Sequence, residues 1–264
     1  MNSDVIETTS PALEAVSLTK RYEDGVLALD RVSFAVNRGQ IFVMLGGNGA
    51  GKSTAINLFL NFIEPTDGEA RINGIVTHRE PLRAKQHVAF VSENVMLYPN
   101  FTAMQNLDFF ARLGGKQDVT RDDLHRVLDR VGLPEEVHDK RLKGFSKGMR
   151  QKCGIAVAII KDASAILLDE PTAGLDPKAG RDFVELLKTL RRENRAIMMS
   201  THDIFRAKEI ADVIAIMDRG RIIAQQTAAE LAGKDLEDLY MRYMAGGNGG
   251  TTVVTGGVDA AHNH

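Results

Sequence analysis

Tryptophan is absent from this 264-residue chain, and cysteine occurs once. A lone thiol, Cys153, excludes an intrachain disulfide and suits a reducing compartment. Its apolar setting, CGIAVAII, reads as that of a buried, inert side chain. No apolar run approaches the roughly 18 residues of a membrane-spanning helix. The opening MNSDVIETTS carries acids and lacks an apolar core, unlike a signal peptide. An excess of one charge is missing as well. With 33 basic and 35 acidic residues the net charge is −2, which offers no bulk attraction to nucleic acid or an anionic membrane. The length allows one large domain, or one domain with an inserted lobe, around a sizeable core.

Glycine, by contrast, is plentiful and locally concentrated. LGGNGAGKST (Leu45 to Thr54) follows IFVML, an apolar run that reads as a buried strand, and precedes AINLFLNFI, whose apolar residues recur at helical spacing. Strand, glycine loop, Lys-Ser and helix form the context in which G-x-x-x-x-G-K-[ST] grips a polyphosphate. Gly46, Gly49 and Gly51 lack a Cβ, so the chain can turn tightly and aim backbone N–H groups at one point. The positive end of the helix faces the same point. Lys52 reaches the β- and γ-phosphates, and the Ser53 hydroxyl suits Mg²⁺.

Along the rest of the chain, LEAVSLTKRY, LDRVSFAV and IFVML read as strands separated by turns at Glu23-Asp24-Gly25 and Asn37-Arg38-Gly39. EPTDGEARINGI suggests a loop and a short strand, and HVAFVSEN a buried strand with a polar end. From about residue 96 to 160 the periodicity becomes helical, with Thr102 and Thr120 as N-cap candidates. Strands and helices then alternate: AILLDE, DPKAGRDFVELLKTLRREN, AIMMS, DIFRAKEIA, VIAIM, RIIAQ and a final amphipathic DLEDLYMRYM. This pattern predicts an α/β fold with a largely parallel central sheet. Residues 1–12 read as a flexible leader, 13–245 as the folded domain and 246–264 as a disordered Gly/Thr-rich tail. His262 and His264 in that tail have no scaffold for a metal.

Further chemistry-bearing residues follow the glycine loop. AILLDEP ends a buried strand on two carboxylates. Asp169 is placed to hold Mg²⁺ directly or through water, and Glu170 to orient or deprotonate a water attacking the γ-phosphate. FSKGMRQK opens a helix with a hydroxyl residue that can cap it or help bind an anion. STHD ends the next strand and offers His202.

In this order the motifs resemble the nucleotide-binding subunit of ABC transporters, over residues from about 14 to 245. The resemblance implies a P-loop NTPase sandwich: a largely parallel core sheet, an antiparallel β subdomain and an inserted α-helical subdomain. It implies ATP and Mg²⁺ as cofactors and ATP hydrolysis as the activity. Tyr22 matches the aromatic that stacks on adenine. Gly46, Gly47, Asn48, Gly49, Ala50, Gly51, Lys52, Ser53 and Thr54 lie in the Walker A stretch, Glu93 at the Q-loop position, and Phe145 to Met149 at the signature. Asp169 and Glu170 match Walker B, Asp176 the D-loop acid and His202 the switch histidine. Ser146, Lys147 and Gly148 would meet ATP held by a second subunit, either a copy of the chain or a paralogue. Ser53, Asp169 and Glu93 would hold the metal, Glu93 directly or through water.

Two departures stand out: the signature reads Phe-Ser-Lys-Gly-Met rather than Leu-Ser-Gly-Gly-Gln, and Glu93 replaces the usual Gln. The second, with DLEDLYMRYM, looks like the ABC-2 export branch. SENVMLYP, FARLGG, FSKGMRQK and LEDLYMRYM look like the ATPase subunit of the copper-related nitrous oxide reductase maturation transporter, without the longer segment that commonly precedes its final helix. The expected setting is therefore the cytoplasmic face of a membrane, reached through separate permease subunits, with no nucleic-acid partner. The alternative is a soluble ABC ATPase acting on a protein or nucleic-acid assembly. Against it, Lys52 and Asp169 are too close in sequence for a long coiled-coil insert, and the chain holds a single cassette. A sensor that binds without hydrolysing is disfavoured by the presence of Lys52, Asp169, Glu170 and His202 together.

Overall fold

A computed structural model describes residues 10–245. The readings of residues 1–9 as leader and 246–264 as tail, with His262 and His264, lie outside the described residues. Residues 10–12, placed in the leader by sequence, already lead into the fold. Ala12 is buried, its N–H donates to Val36 O and its carbonyl accepts from Asn73 N.

Two sheets organise the described residues. The smaller is antiparallel, with order β2-β1-β4-β5, from β1 (Leu13–Arg21), β2 (Leu27–Val36), β4 (Asp67–Ile72) and β5 (Ile75–Val76). The larger has order β10-β9-β3-β8-β7-β6, from β3 (Ile41–Leu45), β6 (Val88–Val91), β7 (Ala165–Asp169), β8 (Ala196–Thr201), β9 (Val213–Asp218) and β10 (Arg221–Thr227). All neighbours in it are parallel except the β9–β10 hairpin. The turn Asp218-Arg219-Gly220 produces that exception.

Strand β3 shows why the sequence takes this architecture. All five of its residues are fully buried, so both of its faces need cover. Ile41, Val43 and Leu45 join one core, while Phe42 and Met44 join the other. The strand period of two thus feeds two hydrophobic layers at once. On the Phe42 side lie the antiparallel sheet and α1 (Lys52–Phe59), with Phe34 stacked on Phe42 at 4.7 Å between ring centroids.

The other core is covered by α3 (Ala103–Leu113), α4 (Arg121–Arg130), α5 (Lys147–Ile160), α6 (Pro177–Arg192) and α7 (Ile204–Ile210). The helical lobe thus shares the core of the parallel sheet. Thr102 and Thr120 cap α3 and α4 through capping boxes with Gln105 and Asp123. Helix α5 approaches β6 so closely that a Cβ on Gly154 would lie 2.9 Å from a Val91 methyl. Helix α9 (Leu236–Ala245) returns to this layer, with Leu236, Leu239, Tyr240 and Tyr243 against it.

Sequence reading does not place α2 (Pro81–Gln86) or α8 (Ala228–Leu231). Both are too short for a helical period to develop. Their only signals are Pro81 in the first turn and the Thr227–Glu230 capping box.

Cys153 is fully buried on α5, and burial pushes its thiol up to about 12. Native protein near neutral pH is expected to leave a thiol-specific colorimetric reagent unreacted, and denatured protein to consume one equivalent. Rapid labelling of the native chain would contradict this packing.

Candidate functional site

Strands β3, β8 and β7 run parallel, so their carboxyl ends open on one edge of the sheet, where ligands of α/β folds bind. Register brings Leu45 beside Thr201 and Asp169 beside Ser200. The chain leaves β3 through Gly46, whose N–H continues the ladder to Thr201 O at 3.2 Å.

Beyond Gly46 the glycine loop is dictated by close backbone contacts. Gly51 has φ +104°, and a Cβ there would fall 2.6 Å from Ala28 O and 2.8 Å from Leu29 Cδ2. No other residue fits that position without displacing β2. A Cβ on Gly46 would meet Met217 O at 2.5 Å, whereas Gly47 and Gly49 face open space. The Gly220 N–H donates to Ala50 O, so the β9–β10 turn anchors the loop from behind. No side chain caps α1 at its N-terminus, which leaves its first N–H groups to an anion.

Lys52 is almost completely buried. Its ammonium donates to Gly46 O (2.6 Å) and Gly47 O (3.1 Å) and lies 3.7 Å from Glu170 Oε1. Ser53 Oγ donates to Asp169 Oδ1 at 3.2 Å, and the Ser200 hydroxyl donates to the same oxygen. A hydroxyl and a carboxylate side by side form the hard-oxygen pair that suits Mg²⁺. The open loop, the uncapped helix end and this pair together fit a Mg²⁺-bound polyphosphate.

Glu170 has φ +47°, a left-handed conformation unusual for a side chain of its size. Such a residue costs on the order of 1–3 kcal/mol and must be held by its surroundings. Here Glu170 N donates to Ser200 O (3.2 Å) and Ser200 Oγ (3.1 Å), while Oε1 lies 3.0 Å from His202 Nδ1. The turned backbone brings the carboxylate to both Lys52 and His202.

Lys52, Ser53, Asp169, Glu170 and His202 are therefore gathered in one place. A second group forms elsewhere. Ser146 caps α5 by accepting from Met149 N, and Asp176 caps α6 by accepting from Lys178 N and Ala179 N. Ser146, Gly148 and Asp176 line a shallow cavity of about 160 Å³ with Lys152 and Lys178, and no glycine-loop residue reaches it. Glu93, expected at the metal, has its Oε1 3.0 Å from Lys147 Nζ. Tyr22 stands just past β1, 37% exposed, with the Lys20 ammonium 5.4 Å from its ring centre.

Two contributors were missed by sequence reading. Ser200, fully buried, ties Asp169 and Glu170 together across the ladder; its signal was its place at the start of STHD. Gln151, also fully buried, donates to Ser92 O (3.1 Å) and Glu93 O (3.0 Å). Nothing in its helical stretch marks that role.

Residues 29–173 match the family described as ABC transporter. The uncharacterized ABC transporter ATP-binding protein YhcH of Bacillus subtilis is 35% identical over 219 residues, covering 83% of this chain and 70% of that protein. Nod factor export ATP-binding protein I of Ralstonia nicotianae is 34% identical over 237 residues, covering 88% and 73%. Among solved structures, the dimeric ATP-binding cassette MJ0796, in a post-hydrolysis state with ADP and Pi, aligns with a TM-score of 0.74 at 26% identity, over 82% of this chain and 98% of that one.

Glu170→Gln is expected to keep ATP binding and lower turnover by about 10²–10⁴-fold, as for removal of a general base. Ser200→Ala should cost less, roughly tenfold, because both carboxylates remain: it removes the hydroxyl's bonds to Asp169 and from Glu170 N, while Glu170 N keeps its bond to Ser200 O and Asp169 its bond from Ser53. Steady-state hydrolysis beside equilibrium ATP binding gives both numbers. Near-normal turnover in the Glu170 variant would remove it from this role.

Proposed function

The chain belongs to the ABC transporter family, as an ATP-binding subunit that hydrolyses ATP, and from that premise we propose that two such subunits close around two Mg·ATP to drive a separate export permease. The observation that carries the two-subunit part is the separation of the two residue groups. Lys52, Asp169, Glu170 and His202 converge, whereas Ser146 and Gly148 open on a different cavity. A signature that completes no site in its own subunit has a use if it completes the partner's. MJ0796, similar over most of the chain, is dimeric.

In the closed pair the glycine loop cradles the phosphates, Lys52 leaves its loop carbonyls for the β- and γ-oxygens, and Ser53 and Asp169 hold Mg²⁺. Glu170 orients or deprotonates the attacking water, and His202 fixes its carboxylate and approaches the γ-phosphate. Tyr22 offers adenine the ring face that Lys20 leaves open. Glu93 adds a ligand to the metal, directly or through water. Mg²⁺ supplies charge neutralisation of the transferred phosphoryl group.

The coupling surface lies just past Glu93. Met96, Tyr98 and Phe101 are exposed, and Tyr98 joins one aromatic cluster, stacked on Phe110, edge-on to Phe109 and tilted against Phe101. Phe101, Phe109 and Leu113 line a groove of about 380 Å³. An exposed groove with apolar residues beside Gln105, Asp108 and Arg112 suits an amphipathic helix presented by a permease. Among the described residues no helix is long and apolar enough to cross a membrane. Export is favoured by Glu93 in place of Gln and by similarity to a protein named for Nod factor export.

Ser146→Arg is expected to abolish hydrolysis while nucleotide binding by the single subunit stays. Mixed with Lys52→Ala protein, it should recover at most one composite site. Full-rate hydrolysis by a demonstrably monomeric preparation would overturn the two-subunit mechanism. Capture from detergent-solubilised membranes with Glu170→Gln protein should bring down an integral-membrane protein. Recovery of ribosomes or a soluble partner alone would favour a soluble assembly factor instead.

A further inference from the structure

His202 stands in the turn between β8 and α7, and its placement is decided by that backbone. The ring is 61% exposed and meets Glu170 Oε1 at 3.0 Å, so little around the side chain itself holds it. The turn is held instead. Asp203 N donates to Thr201 Oγ1 (3.0 Å), and Asp203 Oδ1 accepts from Arg206 N (3.1 Å), capping α7. Helix α7 in turn meets α6 at an unusual contact. The Arg206 guanidinium fills the space that a side chain at Gly180 would need: a Cβ there would lie 2.7 Å from Nη2 and 3.4 Å from Cζ. Gly180 is buried, and its N–H donates to Asp176 O at 2.9 Å, closing the first turn of α6.

Glycine weakens a helix relative to alanine, so its presence within α6 needs a reason, and the guanidinium supplies one. Electrostatic attraction between Arg206 and α6 does not. The first turn of a helix is its positive end and disfavours a cation. Glu209 offsets this by accepting from Arg206 Nη1 at 2.7 Å. The pair keeps the guanidinium folded over α6 instead of extended into solvent, with the Arg206 side chain 22% exposed. We propose that Arg206 is a positioning residue for ATP hydrolysis. Seated on Gly180, it bears α7 on the first turn of α6 and so sets where His202 stands against Glu170. The inference rests on the reading of His202 given above, in which it fixes that carboxylate and approaches the γ-phosphate.

The test measures steady-state hydrolysis and thermal unfolding of full-length protein. Gly180→Ala favours the helix but displaces the guanidinium. It should leave Tm unchanged or raised while kcat falls about tenfold, inside the loss that an ångström of misplacement can cause. Arg206→Ala should lower kcat by a similar factor, with KM for ATP held within about twofold. The two losses should not add, because each removes the same contact. In a His202→Ala background, Arg206→Ala should cost nothing further. Should Arg206→Ala protein not fold, Gly180→Ala, which removes no side chain, carries the test. Packing alone predicts a lower Tm in Arg206→Ala with kcat kept. That result, additive losses, or a further loss in the His202→Ala background overturns the proposal and leaves the reading of His202 standing. Full turnover in His202→Ala itself overturns both.

Discussion

Asp169 and Ser200 lie beside each other across a parallel ladder, and the site depends on that register. Ser200 gives one hydroxyl to the Asp169 carboxylate and receives the Glu170 N–H on the same oxygen. A slip of one residue would turn Ser200 to the opposite face of the sheet. Asp169 would then lose one of its two hydroxyl donors, and Glu170 N the Ser200 hydroxyl that helps hold its left-handed backbone. The register is secured by burial on both faces: Ile166 and Leu168 enter one core, Leu167 the other, and Met198 and Met199 divide likewise on β8.

That security is what allows the site to hold unfavourable features. A strained Glu170, a nearly buried Lys52 and a helix start without a capping side chain are each destabilising taken alone. They are concentrated where three buried strands end, so the cost falls on the best-supported part of the fold. Lys52 answers its own burial with two loop carbonyls and a nearby carboxylate. Phosphate oxygens can replace those carbonyls without leaving the charge unpaired.

The helical lobe is joined to this centre by α5 more than by any loop. Its buried residues share a core with β6 and β7, and Gln151 grips the chain as it leaves β6. Movement of that chain is therefore tied to movement of α5, whose first turn carries Ser146 to Gly148.

Much of this was legible in the sequence, because it is local. Gly51, Lys52 and Ser53 sit within one turn of chain and are recognisable by their spacing, although the close contact that demands glycine at 51 comes from Ala28 and Leu29 on β2. Caps at Thr102 and Thr120 follow from side chains reaching N–H groups three residues on. Five buried residues in IFVML declare a central strand. Other features are decided by residues distant in sequence. Ser200 reads as an ordinary polar strand end until β7 lies beside it, and Gln151 reads as one polar position in a helix until β6 ends against it. Lys147 shows no partner in the sequence, since Glu93 meets it only once the strand before the lobe and the helix within it are packed together. Periodicity and motif spacing report what a segment buries and what its backbone can do; pairing across the fold depends on register and packing, which carry no local signal.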